Sequence, residues 1–453
     1  MTSERTHMAN ADDGSTADQL DAASRALTER RAATMGPSYR LFYRKPVMVE
    51  RASGVWLYDH EGNRYLDAYN NVPVIGHSHP HVQRLVADQL GVLNTHTRYL
   101  TESVVGYSER LLALFPDELS KVVYTCTGSE AVDLALRTAR HHTGARGVIC
   151  TAHAYHGVTA AAAEISPSLG PNNPIPPHVV VVDAPDLHRE PSDGVGERFA
   201  GRVREAVDAL TERGVGLAAM IVDSVLSSDG VQSEPAGFLQ PAADVVRAAG
   251  GLWIADEVQA GFGRLGAGWW GFTRHGLQPD LVVLGKPMGN GLPIAAVVGR
   301  AEVMATFGRD MRYFNTFGGN PVCVAAATAV LDVIDEEGLV DNARRTGANL
   351  RDGLRELAER HPVMGQVRGS GLFLAVELVT TEDDRVPDPA LAADVVNALR
   401  DRRILISASG RAENVLKIRP PLPFAPSHAE HLTAMLDEVL TDVTPRSAGR
   451  ASR

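Results

Sequence analysis

The sequence predicts an α/β protein: a large domain on a mostly parallel central sheet with helices on both faces, plus a smaller α+β domain built from both chain ends. Three observations predict it. Between about Val122 and Arg300, short β-branched runs alternate with helical patterns, as strands joined by crossover helices do. Several runs are apolar without alternation, as expected of strands covered on both faces. From about Val330 the pattern changes to mixed strands and helices.

The central strands are expected at KVVYTC (121–126), GVICT (147–151), AAMIVD (218–223), LWIAD (252–256), LVVLG (281–285) and IAAVVG (294–299). After the first, Ala131, Leu134, Ala135 and Ala139 recur at helical spacing. LQPAADVVRAAGG (239–251) reads as a crossover helix ending at glycine. Further on, GLFLAVELV (371–379), RILIS (403–407) and VLKIRP (415–420) read as strands. Ser427 with Glu430 reads as a capping box before a helix with Leu432, Met435, Leu436, Val439 and Leu440 on one face. Near the start, VWLYDHEGNRYLDA (55–68) reads as a hairpin turning at Glu61-Gly62-Asn63. The implied division is a tail at 1–35, small-domain pieces at 36–75 and 330–442, a large domain at 76–329, and a tail at 443–453. Both tails are polar enough that mobility is expected.

Composition narrows the function. Lys and Arg number 44 against 55 Asp and Glu, a formal charge of −11, so a basic nucleic-acid surface is not expected. The 44% hydrophobic and 22% charged fractions are those of a globular chain. Cys126, Cys150 and Cys323 are too few and scattered for a disulfide framework or a C-x-x-C metal site, so reduced thiols and no metal are expected. No apolar run approaches the ~20 residues of a membrane span. The first twenty residues lack an apolar core behind a basic start. A cytoplasmic, soluble protein is the expectation.

Open α/β sheets bind ligands beyond the carboxyl ends of their strands. There stand Asp256 after LWIA, Lys286 after LVVLG, Asp223 after AAMIV, and Thr127-Gly128-Ser129 between KVVYTC and a helix. Taken singly, each has an ordinary structural reading: a cap, a surface lysine, a turn. Together they suit pyridoxal 5′-phosphate, which needs an amine for an imine, an acid beside its pyridine nitrogen and a cup for its phosphate. The acid keeps the ring nitrogen protonated, since an opposite charge favours the charged form.

At these residues the chain resembles the class III pyridoxal-phosphate aminotransferases of fold type I. The resemblance runs from about Tyr43 to Val439 and rests on TGSEA (127–131), AYHG (154–157), IADEVQAGFGR (254–264), LGKPMGNGLP (284–293) and TFGGNP (316–321). It implies that Lys286 forms the imine and shuttles the proton, and that Asp256 pairs with the pyridine nitrogen. It further implies that Tyr155 and Val258 cover the two ring faces, with His156 beside them. Gly128 and Ser129 would hold the phosphate, and Gln259 would approach the ring hydroxyl. Thr316 matches a threonine that reaches the phosphate from a neighbouring subunit, so a homodimer, or a tetramer made of two such dimers, is implied. The chain departs from the common pattern at Cys126-Thr127, at Val132 and at Asp223-Ser224, where Glu-Pro is frequent.

Within the family, the segments at 66–82, 89–100, 285–293, 311–322 and 414–424 resemble the ethanolamine-phosphate phospho-lyase branch, as does Asp223-Ser224-Val225. That implies loss of phosphate from a phosphorylated amine, O-phosphoethanolamine first, giving acetaldehyde and ammonia. An ω-amine or amino-acid aminotransferase with a keto-acid acceptor is the alternative, and a non-enzymatic binding role a remote third. A substrate phosphate needs several donors and a firm positive charge. Candidates are Asn70, Asn71, His77 and Arg98 from the early segments, and Lys417 and Arg419 from the C-terminal domain. Arg419 also matches the family's carboxylate-binding arginine.

Overall fold

The computed structural model describes residues 11–12, 14, 16–380 and 385–447. Its centre is a seven-stranded sheet in the order Lys121–Thr125, Ala295–Gly299, Leu281–Leu284, Leu252–Asp256, Leu217–Asp223, Gly147–Thr151, Val179–Val182. Ala295–Gly299 alone in this sheet runs against the other strands. In the remaining, co-directional strands the side chains alternate between two cores. Val148, Ile254 and Val283 pack in the core that includes the helix Gly128–Thr143. Ile149, Trp253 and Val282 pack in the core that includes Val195–Glu212 and Gln240–Ala248. Burial on both faces explains why these strands carry no polar alternation.

The expected central strands form within a residue or so of their anticipated bounds. The edge strand Val179–Val182 was not anticipated. Four valines after Pro176-Pro177 give too short a run for a periodicity argument, yet pairing with Gly147–Thr151 orders them. The strand Met364–Ser370 (MGQVRGS) also escaped, because its two glycines and polar residues depress strand propensity; the antiparallel partner Phe373–Leu378 supplies the ladder.

The smaller domain contains two four-stranded sheets. One orders Met364–Ser370, Phe373–Leu378, Val415–Ile418 and Ser407–Ser409, all antiparallel. The other holds Val49–Ser53 and the hairpin Trp56–Asp59 with Arg64–Asp67, onto which Ile404–Leu405 adds in parallel. RILIS therefore splits between two sheets and stitches the chain ends together.

Three end effects differ from expectation. The C-terminal helix starts at Pro426, so Ser427 lies inside it and does not cap it. Proline's fixed φ suits the first helical position, and His428 Nδ1 accepts the Ala425 N–H at 2.9 Å instead. That helix runs on to Ser447, into the segment expected as a tail; 448–453 lie outside the described residues. At the other end Ala22–Thr34 is helical, capped by Asp21, whose carboxylate accepts the Ser24 N–H at 2.9 Å. Composition weighs a segment in isolation and overlooks such a cap; 1–10 lie outside the described residues. No helix among the described residues is long and apolar enough to cross a membrane.

Candidate active site

The carboxyl ends of the central strands converge on a cleft lined by Gly128, Ser129, Tyr155, His156, Gly157, Asp256, Val258, Gln259 and Lys286. The parallel register sets Asp223 directly beside Asp256 at the ends of adjacent strands. Lys286 follows the next strand and opens the turn that returns as Ala295–Gly299. One sheet edge thus delivers both acids and the amine.

Lys286 presents its surface to the cleft, with Nζ 5.9 Å from the Tyr155 ring centroid. Enclosure by protein lowers its pKa, and the Arg419 charge adds to this; Asp256 and Asp223 oppose it. A lysine of lowered pKa is a better nucleophile and base near neutrality. Asp256 is buried; its Oδ1 accepts the Val258 N–H at 3.0 Å and its Oδ2 lies 2.6 Å from His156 Nδ1. His156 Nε2 is buried without a partner among the described residues.

The helix Gly128–Thr143 opens on this cleft. Thr127 and Glu130 form a capping box, and the Glu130 carboxylate also takes the Cys126 N–H at 2.8 Å. The N–H groups of Gly128 and Ser129 keep no partner among the described residues, so they remain donors at the positive end of a helix. Small residues keep the walls close. A Cβ on Gly128 would stand 3.3 Å from Val258 Cγ2, and one on Gly157 would meet Ser129 Oγ at 2.5 Å. Free donors, a flat slot, an inward acid and a lysine fit a planar aromatic aldehyde that bears a phosphate.

A second group of charges adjoins the cleft through Gln259. Lys417 and Arg419 stand two residues apart at one strand end, both buried, each with the Phe373 ring within 6 Å. Arg419 donates through Nη1 to Gln259 Oε1 and through Nε to Tyr69 O at 3.2 Å. Gln259 donates to Ser227 Oγ at 2.5 Å, Ser227 donates on to Asp223, and Lys417 Nζ donates to Ser227 O at 3.2 Å. Burial drives Lys417 well below the usual lysine range and Asp223 above the carboxylate range. Lys417, Arg419 and Asp256 are buried, Asp223 is half-buried, and Lys286 faces the open cleft, so three cations and two acids crowd one region.

Other candidates sit differently. Asn71 is buried; its Nδ2 donates to Gln259 O at 3.3 Å and its Oδ1 has no partner among the described residues. Asn70 Oδ1 accepts the Val72 N–H, and His77 Nε2 lies 2.7 Å from Asp67 Oδ2. Arg98 and Thr316 are exposed and do not line this chain's cleft; the Arg98 guanidinium stacks 3.8 Å over the Phe314 ring, two residues before Thr316. Sequence reasoning missed Glu257. Its buried carboxylate accepts Ser224 Oγ–H at 2.5 Å and the Gly271 and Phe272 N–H groups at 2.7 and 2.8 Å. Burial pushes it up to about 7. The signal was present: an acid beside Asp256 in an otherwise apolar strand end must find partners. Arg264 was missed too; fully buried, it donates to the carbonyls of Leu372 and Pro420 and anchors the small domain.

The family profile described as "Aminotransferase class-III" matches residues 41–440. An alanine–glyoxylate aminotransferase 2-like protein of Drosophila melanogaster is 39% identical over 440 residues, covering 92% of this chain and 89% of its own. An ethanolamine-phosphate phospho-lyase homolog of Caenorhabditis elegans is 36% identical over 435 residues, covering 92% and 93%. Among solved structures, an Arthrobacter phospholyase in complex with phosphoethanolamine superposes with a TM-score of 0.89 at 44% identity, covering 92% of this chain and 99% of its own.

Proposed function

The chain belongs to the class III aminotransferase family, and from that premise we propose that it is a phospho-lyase acting on O-phosphoethanolamine or a close phosphorylated amine. The observation that carries the reading is the pair Lys417 and Arg419, buried together over Phe373 and near enough to Lys286 and Asp223 to shift their protonation. Likeness to the phosphoethanolamine-bound structure supports the same substrate class.

The family is pyridoxal-phosphate-dependent, and the residues present fit that cofactor. Gly128 and Ser129 N–H groups would hold its phosphate, Asp256 backed by His156 its ring nitrogen, Tyr155 and Val258 its two faces, and Gln259 its hydroxyl. When bound, the cofactor supplies an electron sink for the pair released from a substrate C–H bond. Lys286 provides the amine that anchors the cofactor. The Lys286 Nζ would also take the proton from the carbon beside the substrate nitrogen. Burial and the Arg419 charge bias it toward the neutral form that this step needs.

Lys417 and Arg419 would meet the substrate phosphate, where negative charge grows as the C–O bond breaks. Arg419 offers a planar fork and Lys417 a compact donor whose charged form an arriving anion favours. The Asn71 amide, with its unpartnered Oδ1, borders the same space. Asn70 and His77 would shape the segment beneath it, since their side chains bond within that segment. Arg98 and Thr316 share one exposed patch. In a homodimer they would complete the partner's cleft, Thr316 at the cofactor phosphate and Arg98 at its mouth. Net hydrolysis consumes one water and yields acetaldehyde, ammonia and phosphate.

The aminotransferase reading is favoured by one observation: Arg419 could equally grip a keto-acid carboxylate, as relatives bearing aminotransferase names suggest. One assay separates the two. Holoenzyme with phosphoethanolamine and no keto acid should release phosphate and acetaldehyde in equal amounts over many turnovers. Turnover that begins only on adding pyruvate or another acceptor would overturn the lyase reading.

A further inference from the structure

The turn that carries Lys286 is gripped at its tip by a side chain with no role so far. From Gly285 to Leu292 the chain winds through three tight turns, closed by Met288 N–H to Gly285 O (2.8 Å), Asn290 N–H to Pro287 O (3.1 Å) and Leu292 N–H to Gly289 O (3.0 Å). Asn290 sits there at φ 47°, in the left-handed region that glycine enters without steric penalty, and glycines flank it on both sides. A glycine would suit this backbone better, so the side chain must contribute something.

It does so by bonding at both ends. Asn290 Oδ1 accepts the Ile75 N–H at 3.1 Å, and Nδ2 donates to Gly76 O at 2.9 Å. Both partners belong to one strap, Asp67–His77, some two hundred residues away in sequence. The strap is fastened again further on. His77 Nε2 lies 2.7 Å from Asp67 Oδ2, and Asp67 Oδ1 accepts the Asn70 N–H at 2.8 Å. Asn71 donates to Gln259 O, Leu422 N–H to Val74 O at 2.8 Å, and Arg419 Nε to Tyr69 O. Gly76 leaves no slack, since a Cβ there would stand 3.2 Å from Gly54 Cα. A hydrogen-bonded path thus leads from the Lys286 turn through the strap to Arg419.

We infer that Asn290 is a positioning residue: its amide clamps the Asp67–His77 strap to the Lys286 turn and so sets the separation between the Lys286 amine and the Arg419 guanidinium. This rests on the roles given above to Lys286 and Arg419. It does not depend on whether the anion held is a phosphate or a carboxylate. Misplacing a catalytic group by about an ångström is expected to reduce the rate more than binding.

Asn290→Gly keeps the backbone shape and removes the clamp. Relief of left-handed strain then offsets the two lost hydrogen bonds, and the melting temperature should stay within about 3 °C of wild type. In the holoenzyme, amide exchange at 72–77 should accelerate at least tenfold, most of all at Ile75. The kcat should fall about tenfold or more, with KM changed less than threefold. Asn290→Asp, which keeps the acceptor and loses the donor, should fall between the two. Faster exchange with kcat within twofold of wild type would overturn the inference, as would unchanged exchange at Ile75. The rate arm uses whichever reaction the wild type performs. Failure of the wild type to release phosphate would therefore defeat the lyase reading while leaving the clamp testable with an amine and a keto acid.

Discussion

Two crevices lie at the carboxyl ends of the central strands, and the larger is the one whose charges are mostly paired. It spans about 630 Å³ between the ends of Gly147–Thr151 and Val179–Val182 and the loop at 410–415. Most of its charges are matched: Glu377 accepts from Arg368 and Arg189 at 2.7 Å each, and Glu190 from Arg202 at 2.8 Å. Burial works against the ionised Glu377, yet the two guanidinium groups hold its carboxyl below the usual range. Lys286 and Asp256 line the narrower cleft, and Arg419, Lys417 and Asp223 join it through Gln259 and Ser227; there the lysines are driven down and Asp223 up. Matched charges make a wall; mismatched charges in a dry space are available to bind an anion and move a proton. Volume is the poorer guide to function here.

The sharpest separation of the two regions comes from Lys286→Ala. It should lower turnover by at least about 10³-fold, because the anchoring amine and the base are one group. The cofactor's visible absorbance should be lost or shifted while the melting temperature changes little. Glu377→Gln should do the reverse. Unmatching two arginines in the larger crevice should cost about 3–5 kcal/mol of stability, read by denaturant unfolding. The kcat/KM per folded molecule should stay within about twofold. A large rate defect in Glu377→Gln at unchanged stability would break the distinction between wall and site.

Arg419→Met should fall between those cases and show in binding. Removing the fork from a buried anion site should raise KM for phosphoethanolamine about 30- to 100-fold, roughly 2–3 kcal/mol. Lys417→Met should do the same more weakly. If either raises KM for a keto acid and leaves phosphoethanolamine untouched, Arg419 serves a carboxylate and the cleft belongs to a transaminase.

Much of this was legible in the sequence because parallel strands impose one edge. Once Asp256, Lys286 and Thr127-Gly128-Ser129 each followed a strand, topology alone had to bring them together. The hydrogen-bond chain Arg419–Gln259–Ser227–Asp223 was not legible, since it joins residues from three distant segments through side-chain rotamers. Asn290 was visible only as a letter in a glycine-rich motif; its left-handed φ and its reach to Ile75 exist only in the fold. The short strand Val179–Val182 shows the same limit, for its order comes from its neighbour.

Asp229 gives the finest test, because it lines the larger crevice and its bond to the His153 N–H ties it to the segment that carries Tyr155. It accepts Thr151 Oγ1–H at 2.7 Å and the His153 N–H at 3.0 Å. Burial pushes its carboxyl up to about 6 from an ordinary 3.8, against the pull of those two hydrogen bonds. Between these values the folded chain holds a proton that the unfolded chain has lost, so stability falls as pH rises through about 6. Asp229→Asn cannot titrate, and its amide can still accept from His153 and donate to Thr151. The variant should therefore gain stability relative to wild type as pH rises from 4 to 8, by roughly 1–3 kcal/mol. Urea unfolding across that range measures it, and a flat difference would mean that Asp229 stays ionised in the fold. The kcat should change less than twofold, as befits a residue of the wall. A shift in the pH profile of kcat instead would show that the larger crevice reaches the cleft through His153, and the two regions would have to be treated as one site.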